Sequence, residues 1–360
     1  MQSKSAFELG VYSFGNTPRS ANGDFGASAQ AIRDVLEAVH LAEQVGLDFF
    51  GFGEHHTRSM PMSSPTSLVN AAAASTHTIK LGTAVSVLST DDPIRVFQQL
   101  ATASAIAPAR IEAVAGRGSS AITFPIFDLS EHDYDMLFSS KLELLLALNR
   151  HERVSWNGPH RRRALQDVLI VPRPEQPLRL WLGSGGSPDS VMRAAQLGLP
   201  LFLGILGGTP EHWARYGHAY RDAWESAGHA PGEADIAVAV HGFIGEDGRA
   251  AKATYLDHEM RMFQTGSAEI GRPGQAPPGR AADLERGKMV FAGDPEEVAE
   301  RILQLHEQLG HTRQILQMDV GGMPHAIFLK SIELLGTKVL PALRRELGMP
   351  ATLGAVEGTP

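Results

Sequence analysis

The sequence predicts an α/β protein of the (β/α)8 TIM-barrel class, and three observations predict it. Short β-branched or aromatic runs alternate with longer amphipathic stretches almost from end to end, eight such runs can be counted, and most of them finish on glycine-rich or polar turns. Alternation of this kind builds a parallel sheet. Eight units close it into a barrel of about 250 residues, with the functional loops at the strand C-terminal ends.

The first strand is FELGVYSF, residues 7–14. After a Gly/Ser/Asn-rich loop comes IRDVLEAVHLAEQVG, in which Val35, Val39 and Ala42 recur at helix spacing until Gly46 stops the pattern. The second strand is read in DFFGFGEHHTRSMP, residues 48–61. IKLGTAVSVL (79–88), RIEAVAGRG (110–118), LRLWLGSGG (178–186), LPLFLGILGG (199–208), IAVAVHGFIG (236–245) and RQILQMDVGG (313–322) supply six more. Helices are expected around 66–76, 93–107, 133–151, 188–197, 210–227, 247–264, 295–309 and 325–347.

The surplus length falls at 154–177 and 263–289, so residues 1–360 read as a single domain with two insertions. The second insertion is too rich in Gly and Pro to build its own core and reads as a functional lid, with a disordered segment as the alternative.

Composition narrows the function. At 360 residues with 43% hydrophobic residues the chain can bury a large core, and a formal net charge of −8 with no basic run beyond HRRRA (160–164) gives no footprint for nucleic acid or an anionic membrane. Small-molecule chemistry is the better expectation. The absence of cysteine excludes disulfides and thiolate chemistry, and MQSKSAFELG lacks the apolar stretch of a signal peptide, which reads as a cytoplasmic protein. No apolar run approaches the roughly 20 residues a membrane span needs.

Side chains alternate along a strand, so Phe49, Gly51, Gly53 and His55 share one face of strand two, while Phe50, Phe52, Glu54 and His56 share the other. The large aromatics of the second set suit the layer beneath the helices. The first set then points into the barrel, where two glycines leave space for a bulky group and His55 stands at the mouth. The plainer alternative is that Glu54 and His56 close the strand end by hydrogen bonding and His55 is an ordinary buried histidine. A zinc site is disfavoured, because adjacent strand residues point apart and no second spaced histidine pair resembles a metal motif. No metal is expected.

Other strand ends suit an anion. Arg117 stands among glycines in AGRGSS, where a guanidinium can pair bidentately with an anion. In GSGGSPDSVMRAA, Ser187 is an N-cap and Pro188 the first helical residue, an arrangement that presents free amides and the positive end of a helix dipole to a phosphate. A capped turn that binds nothing remains the alternative. Asp319, His325 and His241 lie near the same rim and read more simply as turn or packing residues.

Together these pieces resemble the bacterial-luciferase-like family of flavin-dependent monooxygenases over nearly the whole chain. The resemblance is carried by GFGEHH, by KLGTAVSVLSTDDPIRVFQQLAT (80–102), by AGRGSSAITFPIF (115–127), by LWLGSGGSPDSVMRAAQLGLPLFLGILGG, and by DPEEVAERILQLHEQLG with QMDVGGMPH, in that order. It implies a TIM barrel that takes reduced FMN from a separate NAD(P)H-dependent flavin reductase, reacts it with oxygen to a flavin hydroperoxide, and oxidises a small organic substrate. It also implies a homodimer, for which apolar residues in PTSLVNAAAAS are a candidate face.

By the same resemblance His55 is the catalytic histidine, with Glu54 in support. Ala84 and Val85 match a non-proline cis peptide under the flavin ring, Arg117, Gly118 and Ser119 a segment near the flavin phosphate, Gly185, Gly186 and Ser187 the phosphate-binding turn, and residues 263–289 the family's long mobile active-site loop. The light-emitting subunits carry a glutamate where this chain has the small residues of GSGG, so the phosphate geometry does not transfer in detail. Tyr12, Met60, Met62, Phe124 and Phe127 suggest an apolar substrate pocket. A deazaflavin-dependent oxidoreductase, a non-catalytic flavin-binding protein and, with less support, a metal-dependent hydrolase are the competing readings.

Overall fold

The computed structural model describes residues 6–20, 23–118, 122–269 and 279–349. Its strands are β1 (Glu8–Ser13), β2 (Phe49–Phe52), β3 (Lys80–Val87), β4 (Ile111–Gly116), β5 (Arg153–Trp156), β6 (Leu165–Leu169), β7 (Arg179–Ser184), β8 (Leu201–Ile205), β9 (Ile236–Ile244), β10 (Phe291–Gly293) and β11 (Arg313–Gln317). Eight of them, β1–β4, β7–β9 and β11, pair in parallel, and the β8–β9 pairing closes the ring. These are the eight strands expected from the sequence, and the fold is a TIM barrel.

Two strand pairings were not foreseen. Residues 154–177, read as surplus length, hold the antiparallel hairpin β5–β6, and β10 adds to the end of β9 beyond the barrel wall. Strands of three to five residues carry too few alternations for a period to stand out. The insertion at 263–289 is also more ordered than a loop. The helix Gly248–Glu269 runs five residues past its expected end, and a 3-10 turn covers Arg280–Leu284. Residues 270–278 lie outside the described residues.

Helix starts follow the sequence closely. Asp92, Thr209 and Asp294 each accept first-turn amide hydrogens on their side chains, and a proline follows each in the first turn. This is the arrangement that satisfies orphan amides and presets the backbone.

Strand parity separates two cores. Val11, Phe50, Phe52, Leu81 and Val238 pack outward under the helices, whereas Tyr12, Phe49, Val114, Trp181, Phe202, Ala239 and Ile315 fill the barrel. The floor of the barrel is an ion-pair cluster. Arg313 donates to Glu112 at 2.7 and 3.0 Å and pairs with Glu8, while Trp181 Nε1 donates to Glu112 at 2.7 Å. Its guanidinium lies 4.4 Å from the ring centre of Phe49 and 4.9 Å from that of Trp181. A buried charge persists only when paired in this way. The floor is therefore plugged, and the interior opens at the C-terminal mouth.

Within PTSLVNAAAAS, Leu68, Val69, Ala72 and Ala73 are buried in the core, whereas Ser67, Ala71, Ala74 and Ser75 are exposed, so only two small apolar side chains of this stretch face outward. Among the described residues no helix is long and apolar enough to cross a membrane.

Candidate active site at the barrel mouth

His55 follows β2 and is half-buried. Its ring meets Phe14 edge to face at 4.6 Å, and its backbone amide donates to Met62 O at 2.9 Å. Burial, and after it the neighbouring His56, pushes the imidazole down to about 4, so the ring is neutral at pH 7. Glu54 points the other way. Its Oε1 accepts from His56 Nε2 at 3.0 Å and its Oε2 from the Val87 amide at 2.8 Å. The carboxylate thus ties β2 to β3 and does not touch His55. Because Glu54 and His56 are spent on each other, the three residues do not converge on a metal.

The space left by the β2 glycines is taken by the protein's own side chains, a correction to the expectation that a bound ring would lie there. A Cβ on Gly53 would stand 2.2 Å from the Phe14 ring, and one on Gly51 would stand 2.7 Å from Ala84 Cβ. Gly53 lets Phe14 reach His55. Gly51 lets β3 come close where the Ala84–Val85 peptide, a non-proline bond, is cis.

Arg117 extends from the end of β4, where Nη1 donates to Asp135 at 3.0 Å and the guanidinium lies 5.2 Å from the Tyr134 ring centre. Gly118 has φ +84° and no room for a side chain, since a Cβ would meet Val87 at 2.6 Å. Ser119 lies outside the described residues. After β7, Gly185 is open, with nothing within 4 Å of a Cβ position, and on β8 the nearest atom to such a position at Gly204 is 4.0 Å away. Ser187 is the N-cap of the helix Pro188–Leu197, yet its hydroxyl caps no amide. This side of the mouth is an open, glycine-floored bed with an uncommitted hydroxyl at a helix N-terminus, and a flat phosphate-bearing group fits it.

The opposite side is polar. His241 of β9 is buried, and its Nδ1 lies 3.1 Å from Glu259 Oε1. Glu259 also accepts from Tyr255 at 2.7 Å and from Arg280 Nε at 2.7 Å. Burial pushes the Glu259 carboxyl up, but the hydrogen bonds from His241 and Arg280 outweigh it and hold it at about 2. Arg280 donates further to Leu206 O at 2.7 Å and to Asp283 at 3.0 Å, which fastens the end of the second insertion to β8. At the other end of that insertion Glu269 accepts from the Ser59 amide at 3.0 Å and from the Ser59 hydroxyl. Met60 and Met62 share the loop that Ser59 helps hold.

Sequence reasoning passed over Glu259, Arg280, Tyr255 and Gln317 and read His241 as packing. Parity along IAVAVHGFIG could have found His241, which shares its face with Ala237 and Ala239. Asp319 and His325 do not meet: Asp319 accepts from Ser13 at 2.5 Å, while His325 pairs with Glu37 on the outer helical layer. Of the double glycine nearby, Gly321 packs directly on the helix Gly248–Glu269, where a Cβ would strike His258 O.

Another open cavity, about 730 Å³, lies at the far end of the barrel where β7, β8 and β9 begin. Arg179 is paired there with Asp235 and Asn149 with the Leu178 backbone, while Arg150 and Glu233 stand at its exposed rim. The mouth holds the chemistry.

The sequence profile described as luciferase-like monooxygenase matches residues 13–312. An uncharacterized protein, y4vJ, of Sinorhizobium fredii (strain NBRC 101917 / NGR234) is 26% identical over 335 residues, 89% of this chain and 94% of its own. An F420-dependent glucose-6-phosphate dehydrogenase of Kineococcus radiotolerans is 26% identical over 84% of this chain and 90% of its own. Among solved structures, monooxygenase RslO1 from Streptomyces bottropensis superposes with a TM-score of 0.80 at 24% identity, covering 93% of this chain and 99% of its own. The oxygenating constituent of 3,6-diketocamphane monooxygenase from Pseudomonas putida, in complex with FMN, gives 0.72 at 20% identity, covering 93% and 98%.

Proposed function

Because the chain belongs to the luciferase-like monooxygenase family, whose oxidoreductases work with flavin or the deazaflavin F420, we propose that it is the oxygenating component of a two-component FMN-dependent monooxygenase. A separate NAD(P)H-dependent flavin reductase supplies the reduced FMN, and a small, largely apolar organic molecule is oxidised. The observation that carries this reading is the open bed at Gly185 and Gly204 beside the uncommitted Ser187 hydroxyl, facing His55 across the mouth.

When bound, reduced FMN supplies the electrons that activate oxygen. Each residue has its own task. Ser187 and the Gly185 amide would hold the phosphate, with Gly186, whose amide also donates to Ser184 Oγ at 3.3 Å, in the same turn and Arg117 and Gly118 at the neighbouring rim. Ala84 and Val85 support the ring. His55, neutral at pH 7, offers one donor and one acceptor nitrogen across the mouth from the bed, and Glu54 keeps β2 and β3 in register beneath it. Phe14, Phe127 and Leu206 present apolar surface that keeps water from the reacting atoms.

The FMN reading is tested by anaerobic titration with photoreduced FMN and, in parallel, reduced F420, followed by mixing with oxygenated buffer. Binding of reduced FMN with oxygen consumption supports the reading. Binding of F420 alone overturns it in favour of a deazaflavin oxidoreductase, the alternative that the Kineococcus relative favours. We further propose a homodimer, which light scattering of the purified protein decides.

A further inference from the structure

The polar half of the mouth is built around three adjacent strands. Ala237 and Ala239 of β9 enter the barrel interior, and His241 is the next residue of that face. Its register partner on β11 is Gln317, and Tyr12 of β1 lies beside Gln317, one step beyond the Val11–Leu316 pair. An imidazole, a carboxamide and a phenol therefore stand at one level of the mouth.

These residues are only 4%, 2% and 6% exposed. Even so, His241 Nε2, the Gln317 carboxamide and the Tyr12 hydroxyl bond to no other described residue, and none is sealed from solvent. Buried polar groups normally have partners. Three without them in one row point to a polar group on a ligand.

The ligand's charge can be inferred as well. Arg280, the cation tied to this row through Glu259, spends its donors on Glu259, Leu206 O and Asp283, so the row offers neutral groups to a neutral ligand. Glu259 is ionised and can only accept, which places a hydrogen on His241 Nδ1 and leaves the Nε2 lone pair facing the cavity. A base oriented by a buried carboxylate is a recurring acid–base device.

We propose that His241 is a proton-accepting catalytic residue, oriented by Glu259, and that Tyr12 and Gln317 recognise the oxygen of a substrate with an acidic hydroxyl, a phenol or an enol on an apolar body. The inference deepens the oxidoreductase reading and rests on it. In the step concerned the substrate O–H bond breaks, its proton passes to His241 Nε2, and the electron pair stays on the oxygen. The imidazolium is balanced by Glu259, and the oxyanion by the Tyr12 O–H and the Gln317 N–H. No electron is transferred in this step.

The test uses protein with isotope-labelled histidine, para-nitrophenol as the probe, and buffer acidic enough that the free probe is colourless. Nitrogen NMR of the wild type is expected to show His241 as the Nδ1–H tautomer, identified by its loss in H241Q, with E259Q redistributing the proton. Binding of the probe is expected to raise phenolate absorbance in the wild type and to lose about tenfold of it in H241Q. Y12F, a milder change, is expected to keep the tautomer and weaken probe affinity about fivefold. An Nε2–H tautomer in the wild type, a probe that fails to bind or binds colourless, or colour that survives in H241Q overturns the proposal. Reduced-FMN binding, measured on the same samples, separates the two failures: its loss with the colour intact removes the flavin reading and leaves the proton acceptor standing.

Discussion

Acidification from pH 7 to pH 5 is expected to weaken the fold through His55 in a measurable way. Its imidazole is held at about 4 in the native state against an ordinary value of 6.5, chiefly by burial. At pH 5 the unfolded ring carries a proton and the native ring does not, so the unfolded state binds more protons and stability falls as pH falls. The loss begins near 6.5 and is complete below about 4, where both states are protonated. For that pair of values the linkage relation gives about 2 kcal/mol lost between pH 7 and 5, an upper figure because the ring is partly open to solvent. The assay is urea denaturation of wild type and H55Q at both pH values, extrapolated to water. His160 and His311, also pushed down by burial, to about 4 and about 3, are present in both proteins and cancel in the comparison. Wild type is expected to lose up to about 2 kcal/mol more than H55Q. Equal losses would refute a neutral His55 and with it the assigned hydrogen-bonding role.

G53A is expected to cost about 1–3 kcal/mol, because its Cβ would stand 2.2 Å from the Phe14 ring; F14L in the same chain should recover part of that loss in chemical denaturation. E112A leaves Arg313 without its main partner in the barrel floor and is expected to cost about 3–5 kcal/mol, seen as a lower thermal midpoint. Asp189 stands exposed in the first turn of the helix that begins after Ser187, where its charge opposes a phosphate; D189N should tighten reduced FMN by about 0.3–1 kcal/mol, and a weakening by titration would count against the phosphate site. E54Q keeps an acceptor for the Val87 amide while E54A does not, so E54A should lose about 1–3 kcal/mol more of stability, and equal losses would show that this bond does not hold β3.

By itself the sequence determined the barrel and the identity of the strand that carries His55. Periodicity is local: a period of two along DFFGFGEHH sorts Phe49 from Phe50 without knowledge of any neighbour, and DDPIR, TPEHW and DPEEV announce their own helix starts. The same local logic placed Glu54 on the face away from His55.

Tertiary structure decided who fills each space and who meets whom. Gly53 leaves room in any reading of the sequence, but only register shows that Phe14, 39 residues earlier, fills it. The tie between His241 and Glu259 joins a strand to the helix that follows it, and the row formed with Gln317 and Tyr12 joins the two ends of the chain where β11 meets β1. Such contacts depend on ring closure and strand stagger, which are properties of the whole barrel and not of any segment. The short hairpin β5–β6 and the ordered flanks of the second insertion escaped notice for a related reason. Their stability comes from what they pack and bond against, as Arg280 does against Glu259, rather than from a pattern of their own.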